Sequence, residues 1–238
     1  MEKKFELTDK FVINAFGIKL FQIKCTKSFK YANEGDLGGY VEKEDNLSQS
    51  GDAWVSGDAW VSGDALVSGD ALVSGDARVS GNAQVSGNAQ VSGNARVSGD
   101  ARVSGNAQVY GDAQVYGKAW VYGDAQVYGK AWVYGDARVS GNARVYGDAQ
   151  VYGKAQVSGN ARVENNHMHC GFDCFGSCNR HTHAYKTKGN KVEITCGCFR
   201  GSLEEFEKKV EETHKGTIYE KQYKAIINLI KIKFGIDG

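Results

Sequence analysis

Five metal-ligating side chains, His167, His169, Cys170, Cys174 and Cys178, fall within twelve residues, and His181 and His183 follow closely. Imidazole and thiolate at this density suit a structural zinc site. The C-x3-C-x3-C spacing departs from the usual C-x2-C knuckle, so a glycine-containing linker with exposed thiols is the competing reading. Cys196 and Cys198 are two apart on an expected strand, share a face, and read as buried rather than ligating. A second group is Arg102, Trp120, Tyr122, Trp132, Tyr134 and Arg138. Aromatic faces beside guanidinium groups suit a nucleotide or another planar anion. The simpler reading is that these ladders stabilise a solenoid surface or a subunit interface.

The element that must position the second group is a repeat. From Gly51 the pattern G-[DNK]-A-x-V-[SY] runs without a gap over nineteen hexapeptides, the last of which ends in Glu164. Self-similarity at so short a period means a solenoid. Every third slot is Ala and every fifth is Val, and residues i and i+2 share a strand face. Ala and Val therefore face inward, and the x and Ser/Tyr slots face outward. The Gly-Asp/Asn pair turns the chain, because both types tolerate left-handed backbone angles. Calcium binding through the Asp slots is not expected, since the Gly-Gly-x-Gly-x-Asp pattern is absent. The outward slots hold no threonine, which argues against an ice-binding face.

A corner every six residues predicts a triangular coil of 18 residues, about six coils in all and roughly 30 Å long at ~4.8 Å per coil. Stacking at i+18 builds charge columns Asp100, Lys118, Asp136, Lys154 and Asp112, Lys130, Asp148. It also builds tyrosine ladders Tyr110, Tyr128, Tyr146 and Tyr116, Tyr134, Tyr152, an amide ladder Gln90, Gln108, Gln126, and a cation–π column Arg102, Trp120, Arg138. A 12-residue coil would set Lys118 on Lys130. The 18-residue register carries its own surface costs, Asp52 on Asp70, Asp58 on Asp76 and Arg78 on Arg96.

Both ends of such a stack need caps, or the open sheets recruit other chains. Residues 1–50 read as an N-terminal β cap. A hairpin is expected over residues 10–25 with its turn near Phe16-Gly17, followed by a degenerate first hexapeptide with Leu47 in the Ala slot. The cap is expected to pack on some of Trp54, Trp60, Leu66 and Leu72. Residues 51–164 are the solenoid. Residues 165–238 read as a Cys/His-containing ββαα module. Its hairpin joins 180–186 to 191–195 around Gly189-Asn190. Ser202 and Glu205 form a capping box opening one helix, and a second helix spans about 217–234. The fold class is mainly β, with a small α+β module at the C-terminus.

Composition narrows the function classes. The formal net charge is +1, which gives no pull toward nucleic acid or an anionic membrane. The stretch Met1–Glu6 lacks an apolar h-region, and Ala225–Ile236 is too short and lysine-interrupted to span a bilayer. A cytoplasmic location with mostly reduced cysteines is therefore expected. Proline is absent from the sequence, which suits strands that must each donate N–H groups.

The repeat resembles the left-handed β-helix of hexapeptide-repeat proteins, best known from acyltransferases, and the handedness is implied by that resemblance. The flanks Phe5-Glu6-Leu7-Thr8-Asp9, Lys19–Lys24, Gly35–Glu42, Asn46–Gln49, Thr195–Phe199 and Leu203–Phe206 are similar to hexapeptide-repeat proteins of bacteriophages and prophages, some described as transferases or as polymer-forming. The resemblance implies a homotrimer and, for a phage-encoded chain, the host cytosol. The reading taken is a non-catalytic binding or scaffold protein, in one version an anti-defence sponge that sequesters a host immune signalling nucleotide. No catalytic residue is assigned, and structural zinc is the single cofactor considered. The alternative is an acyltransferase. Residues 51–164 contain no histidine, so its base would have to be His167, His169, His181 or His183.

Overall fold

The computed structural model of the chain describes residues 3–236; Met1 and Glu2, part of the stretch read for a leader, lie outside it. An N-terminal antiparallel pair, β1 (Phe5–Ile13) and β2 (Lys19–Cys25), continues into β3 (Leu37–Val41). Nineteen two-residue strands follow, from β4 (Trp54–Val55) to β22 (Arg162–Val163), one per hexapeptide. A four-stranded antiparallel sheet, β23 (His169–Phe175), β24 (Arg180–Lys186), β25 (Val192–Cys196) and β26 (Phe199–Ser202), precedes α1 (Leu203–His214) and α2 (Ile218–Phe234).

Three parallel sheets make the solenoid, which has about seven turns. We call its sides face I, headed by Trp54 and Leu72, face II, headed by Trp60 and Arg78, and face III, headed by Leu66 and Gln84. The register is i+18 through the nineteen repeats, as in Arg102↔Trp120↔Arg138. Up to the last turn, each x residue donates its N–H to an Ala carbonyl of the next turn, and each Ser or Tyr to a Val carbonyl; Arg102 to Ala119 and Ser104 to Val121 both measure 2.9 Å. All repeat Ala and Val side chains are buried in one continuous core. The corner glycines are obligatory for two reasons, as at Gly99. Its φ is +68°, and an added Cβ would lie 3.0 Å from the backbone nitrogen of Gly117 in the next turn.

The first turn belongs to the N-terminal segment. Tyr40 pairs with Trp60, Val41 with Val61, and Leu47 with Val67. Leu47 therefore occupies a Val slot, not the Ala slot expected from counting back in sixes. Residues between Leu47 and Ala53 hold two more than a repeat allows, and pairing overrides the count. This added turn is why the solenoid is longer than the repeat alone. The cap covers Trp54, which packs edge-on against Phe29 at 5.4 Å. Leu66 stays 37 % exposed, so the cap shields one end of the apolar run and not all of it.

The C-terminal module has four strands where two were expected. β23 runs through the segment where the zinc site and the glycine-containing linker compete, and its glycine and cysteines mask the alternation. The predicted hairpin forms as β24 and β25, turning through Asn190 at φ +65°. Ser202 caps α1 with a full capping box to Glu205, and Thr217 caps α2. No helix among the described residues is long and apolar enough to cross a membrane.

Candidate functional site

The outward residues divide between faces. Arg102, Trp120, Tyr122 and Arg138 lie on face III, whereas Trp132 and Tyr134 lie on face II. One chain therefore does not bring the six together, because the 18-residue coil sends residues 12 apart to different sides. On face III, the Trp120 ring leans on Tyr122, with centroids 4.5 Å apart, and its Nε1–H donates to Ser104. The expected Arg–Trp–Arg column has the right register, but the indole turns toward the tyrosine. The guanidinium that stacks on a solenoid indole is Arg78, 4.8 Å over Trp60. The tyrosine ladders form as expected. Tyr110, Tyr128 and Tyr146 stack at 4.8 and 5.1 Å, and Tyr116, Tyr134 and Tyr152 at 4.9 and 5.4 Å. Gln126 donates to Gln108 in the amide ladder.

The charge columns have the register read from the sequence, but their members do not pair with one another. Among the described residues, Lys118, Lys130 and Lys154 enter no ion pair. Asp100 and Asp112 instead accept from Asn82 and Asn94 one turn before, both at 2.9 Å. An exposed lysine gains little from such a pair, so its side chain stays free.

Each end of the solenoid leaves backbone groups without a next turn, and polar side chains fill that role. At the N-terminal end the Lys4 ammonium donates to the carbonyls of Ala53 (2.8 Å) and Gly51 (3.1 Å). Burial lowers its pKa to about 8. Asn46, fully buried, donates to Ala65 and Gly63. At the C-terminal end the Gln156 carbonyl accepts from His183 Nδ1–H (3.1 Å) and the Thr195 hydroxyl (3.3 Å), and Asn166 accepts from the Gln150 N–H. Tyr185 closes the hydrophobic core beneath them. Nothing in the repeat signals these caps. The alternation His181, His183, Tyr185 does mark one face of β24.

The carbonyl of Gln156 fixes the neutral histidine tautomers. It can only accept, so His183 carries its proton on Nδ1 and accepts at Nε2 from His169 Nδ1–H, 3.0 Å away. Burial, and then the neighbouring His169, push the His183 pKa down to about 3. Burial, and then Lys233, push that of His169 down to about 4. His181 holds Asp173 at 2.8 Å through Nδ1. Its Nε2 and that of His169 are buried without a partner, so neither ring offers an accessible nitrogen as a general base. His167 lies exposed in a short 3-10 turn.

The pleat separates the five residues of the zinc reading. His169 faces the solenoid end, while Cys170, one residue on, faces the helices with Phe172 and Cys196. Burial raises the Cys170 thiol to about 11. Cys174 and Cys178 are exposed at the far end of the β23–β24 hairpin. No group of three or more His, Cys, Asp or Glu side chains among the described residues is placed to hold a metal ion. Cys196 is buried as expected, but Cys198 sits exposed past Gly197 in the β25–β26 turn rather than sharing its strand face.

A groove of about 400 Å³ lies between the β1–β2 hairpin tip and face II, bordered by Phe16, Trp60, Arg78 and Arg96. Arg78 and Arg96 are register neighbours, and neither enters an ion pair among the described residues.

A uniform parallel solenoid, closed at both ends by its own chain and carrying its polar variety on the outside, defines the class of β-helical scaffold proteins. Residues 46–179, more than half of the chain, match the family described as "Bactofilin: Polymer-forming cytoskeletal". The chain belongs to the bactofilin family. No curated protein matches it. The family supports a non-catalytic structural role for which self-association is the natural mode of action.

Proposed function

We propose that this protein is a self-associating scaffold whose copies join through the outer faces of the solenoid. The observation that carries this is the pair of closed ends. Lys4 and Asn46 occupy first-turn carbonyls of faces I and III, His183 and Thr195 occupy the last carbonyl of face III, and Asn166 holds the Gln150 N–H of face II, so end-to-end strand addition would have to displace these side chains. The sides remain, with Trp132 and Tyr152 exposed. A homotrimer, the state implied by the hexapeptide-repeat resemblance, is one stoichiometry such sides permit. Sedimentation velocity over a wide concentration range, with electron microscopy of the same samples, tests the reading. Concentration-dependent growth is expected; a single 25.8 kDa species at every concentration and salt would overturn it.

A second reading, a small planar anion bound by the same scaffold, is favoured by the two unpaired guanidiniums beside Trp60 and Phe16. The family match carries nothing of a phage origin or of an immune signalling nucleotide. Calorimetry with cyclic nucleotides and ADP-ribose derivatives is expected to give heat that Arg78→Ala abolishes. Absence of heat for the whole panel removes this reading.

A further inference from the structure

Face II differs from the other two sides in its edges. The corner before it carries Asn94, Asp112, Lys130 and Asp148; the corner after it carries Asp100, Lys118, Asp136 and Lys154. Both edges alternate in sign from turn to turn, and in each of the last three turns they are opposite to one another. The corner between faces III and I carries Asn106, Asp124, Asn142 and Asn160, so those faces have one alternating edge each. Between the charged edges of face II run Gln114, Trp132, Gln150 and the stacked Tyr116, Tyr134 and Tyr152. Among the described residues these lysines enter no ion pair. A charge pattern that is unspent internally and complementary to itself fits a second copy of the same surface.

We infer that face II binds face II of a second copy, antiparallel, with a two-fold axis between the turn of Asp112 and the turn of Lys130; this rests on the self-association reading. In that arrangement Asp112 meets the other copy's Lys130, Lys118 meets its Asp136, and Asp100 meets its Lys154. Asn94 meets Asp148, Trp132 meets Gln114, and the tyrosines of the two ladders face each other. All turns share one spacing, so the pairs match in register together, and a slip by one turn sets Asp on Asp and Lys on Lys. A parallel arrangement would also match charges, Asp112 to Lys118. It would set the two hairpin tips, which lie beside Trp60 and Arg78 of face II, at the same height, whereas the antiparallel arrangement keeps them apart. In the antiparallel arrangement the overlap is confined to the last four turns. Their footprint is about 300 Å² per copy, from ~4.8 Å per turn and a strand width of about 16 Å. That is small for a stable dimer, so this contact is weak alone and sets register within a larger assembly.

The test is sedimentation equilibrium of the full chain from about 10 µM to 1 mM, where weak dimers are read. Asp112→Lys and Lys130→Asp each place like charges across the two-fold and are expected to weaken association about tenfold or more. The double variant Asp112→Lys, Lys130→Asp restores the pairs and is expected to return within about threefold of the native value. Both positions are exposed turn residues, and circular dichroism checks that each variant keeps its β signal. Association unchanged in both single variants overturns this interface while leaving self-association standing. Rescue by Asp112→Lys with Lys118→Asp, in place of the first pair, overturns the antiparallel arrangement. A chain that stays monomeric at every concentration removes the self-association reading and this interface with it.

Discussion

The solenoid and the C-terminal module solve the same problem of burying strands by opposite means. The solenoid uses one rule nineteen times, so each turn is stabilised mainly by its two neighbours. The module uses each residue once. Its sheet packs Cys170, Phe172, Ala184, Ile194 and Cys196 on α1 and α2, and turns His169, His181, His183 and Tyr185 toward the solenoid. The difference teaches where specificity can reside. A uniform interior has no individual sites, and only the outward slots and the junctions distinguish one turn from another.

Damage to one turn in the middle has the largest expected effect. Val109→Asp buries a carboxylate that no partner can reach, which should cost more than about 4 kcal/mol. Chemical denaturation is expected to show the whole solenoid losing its cooperative transition. A variant melting within a few degrees of the native chain would mean that the turns are far more independent than stacking implies.

Acid addresses the junction alone. Free imidazoles titrate near 6.5, while His169 and His183 are held at about 4 and about 3 by burial. Between these values the unfolded or detached form binds more protons than the docked form. Stability of the docked cap is therefore full above about pH 6.5 and falls as pH drops toward 4, by an amount on the order of 3 kcal/mol. Amide exchange should quicken at Gln150, whose N–H is held by Asn166 of the cap, while the middle turns stay protected. Equal protection of the last turn near pH 7 and near pH 4.5 would show that the histidines do not hold the cap.

The smallest effect belongs to the module. Ser202→Ala removes the hydroxyl that accepts the Glu205 N–H and should cost about 1 kcal/mol. Thermal unfolding followed by separate probes should place that loss in the helices and leave the solenoid transition unmoved. A shift of both transitions together would mean that the two regions unfold as one unit.

How much was legible follows from the same contrast. Every Ala, Val and Gly of the repeat could be placed from the period, because a repeated local choice has one consistent packing. The hairpin of β24 and β25 and both helices were legible through turn and cap residues. β23 was not, since Gly171 and the cysteines break its alternation. Gly171 is needed there because the His181 ring lies over it, with Cε1 2.7 Å from where a Cβ would sit. The side chains of the zinc reading are separated for a related reason. Proximity in sequence placed His169 beside Cys170, and the pleat sends adjacent residues to opposite faces.

The amino-acid sequence alone determined the three-sided coil, its register, its ladders and the inward Ala/Val core, because local periodicity suffices for contacts that recur at a constant offset. Tertiary structure alone decided that Leu47 opens the stack in a Val slot, that Lys4 and His183 close its ends, that the charge columns stay unpaired, and that the Trp120 indole turns to Tyr122 instead of its arginine neighbours. Those facts depend on residues far apart in the chain meeting at an end or a corner, and no local pattern encodes such a meeting.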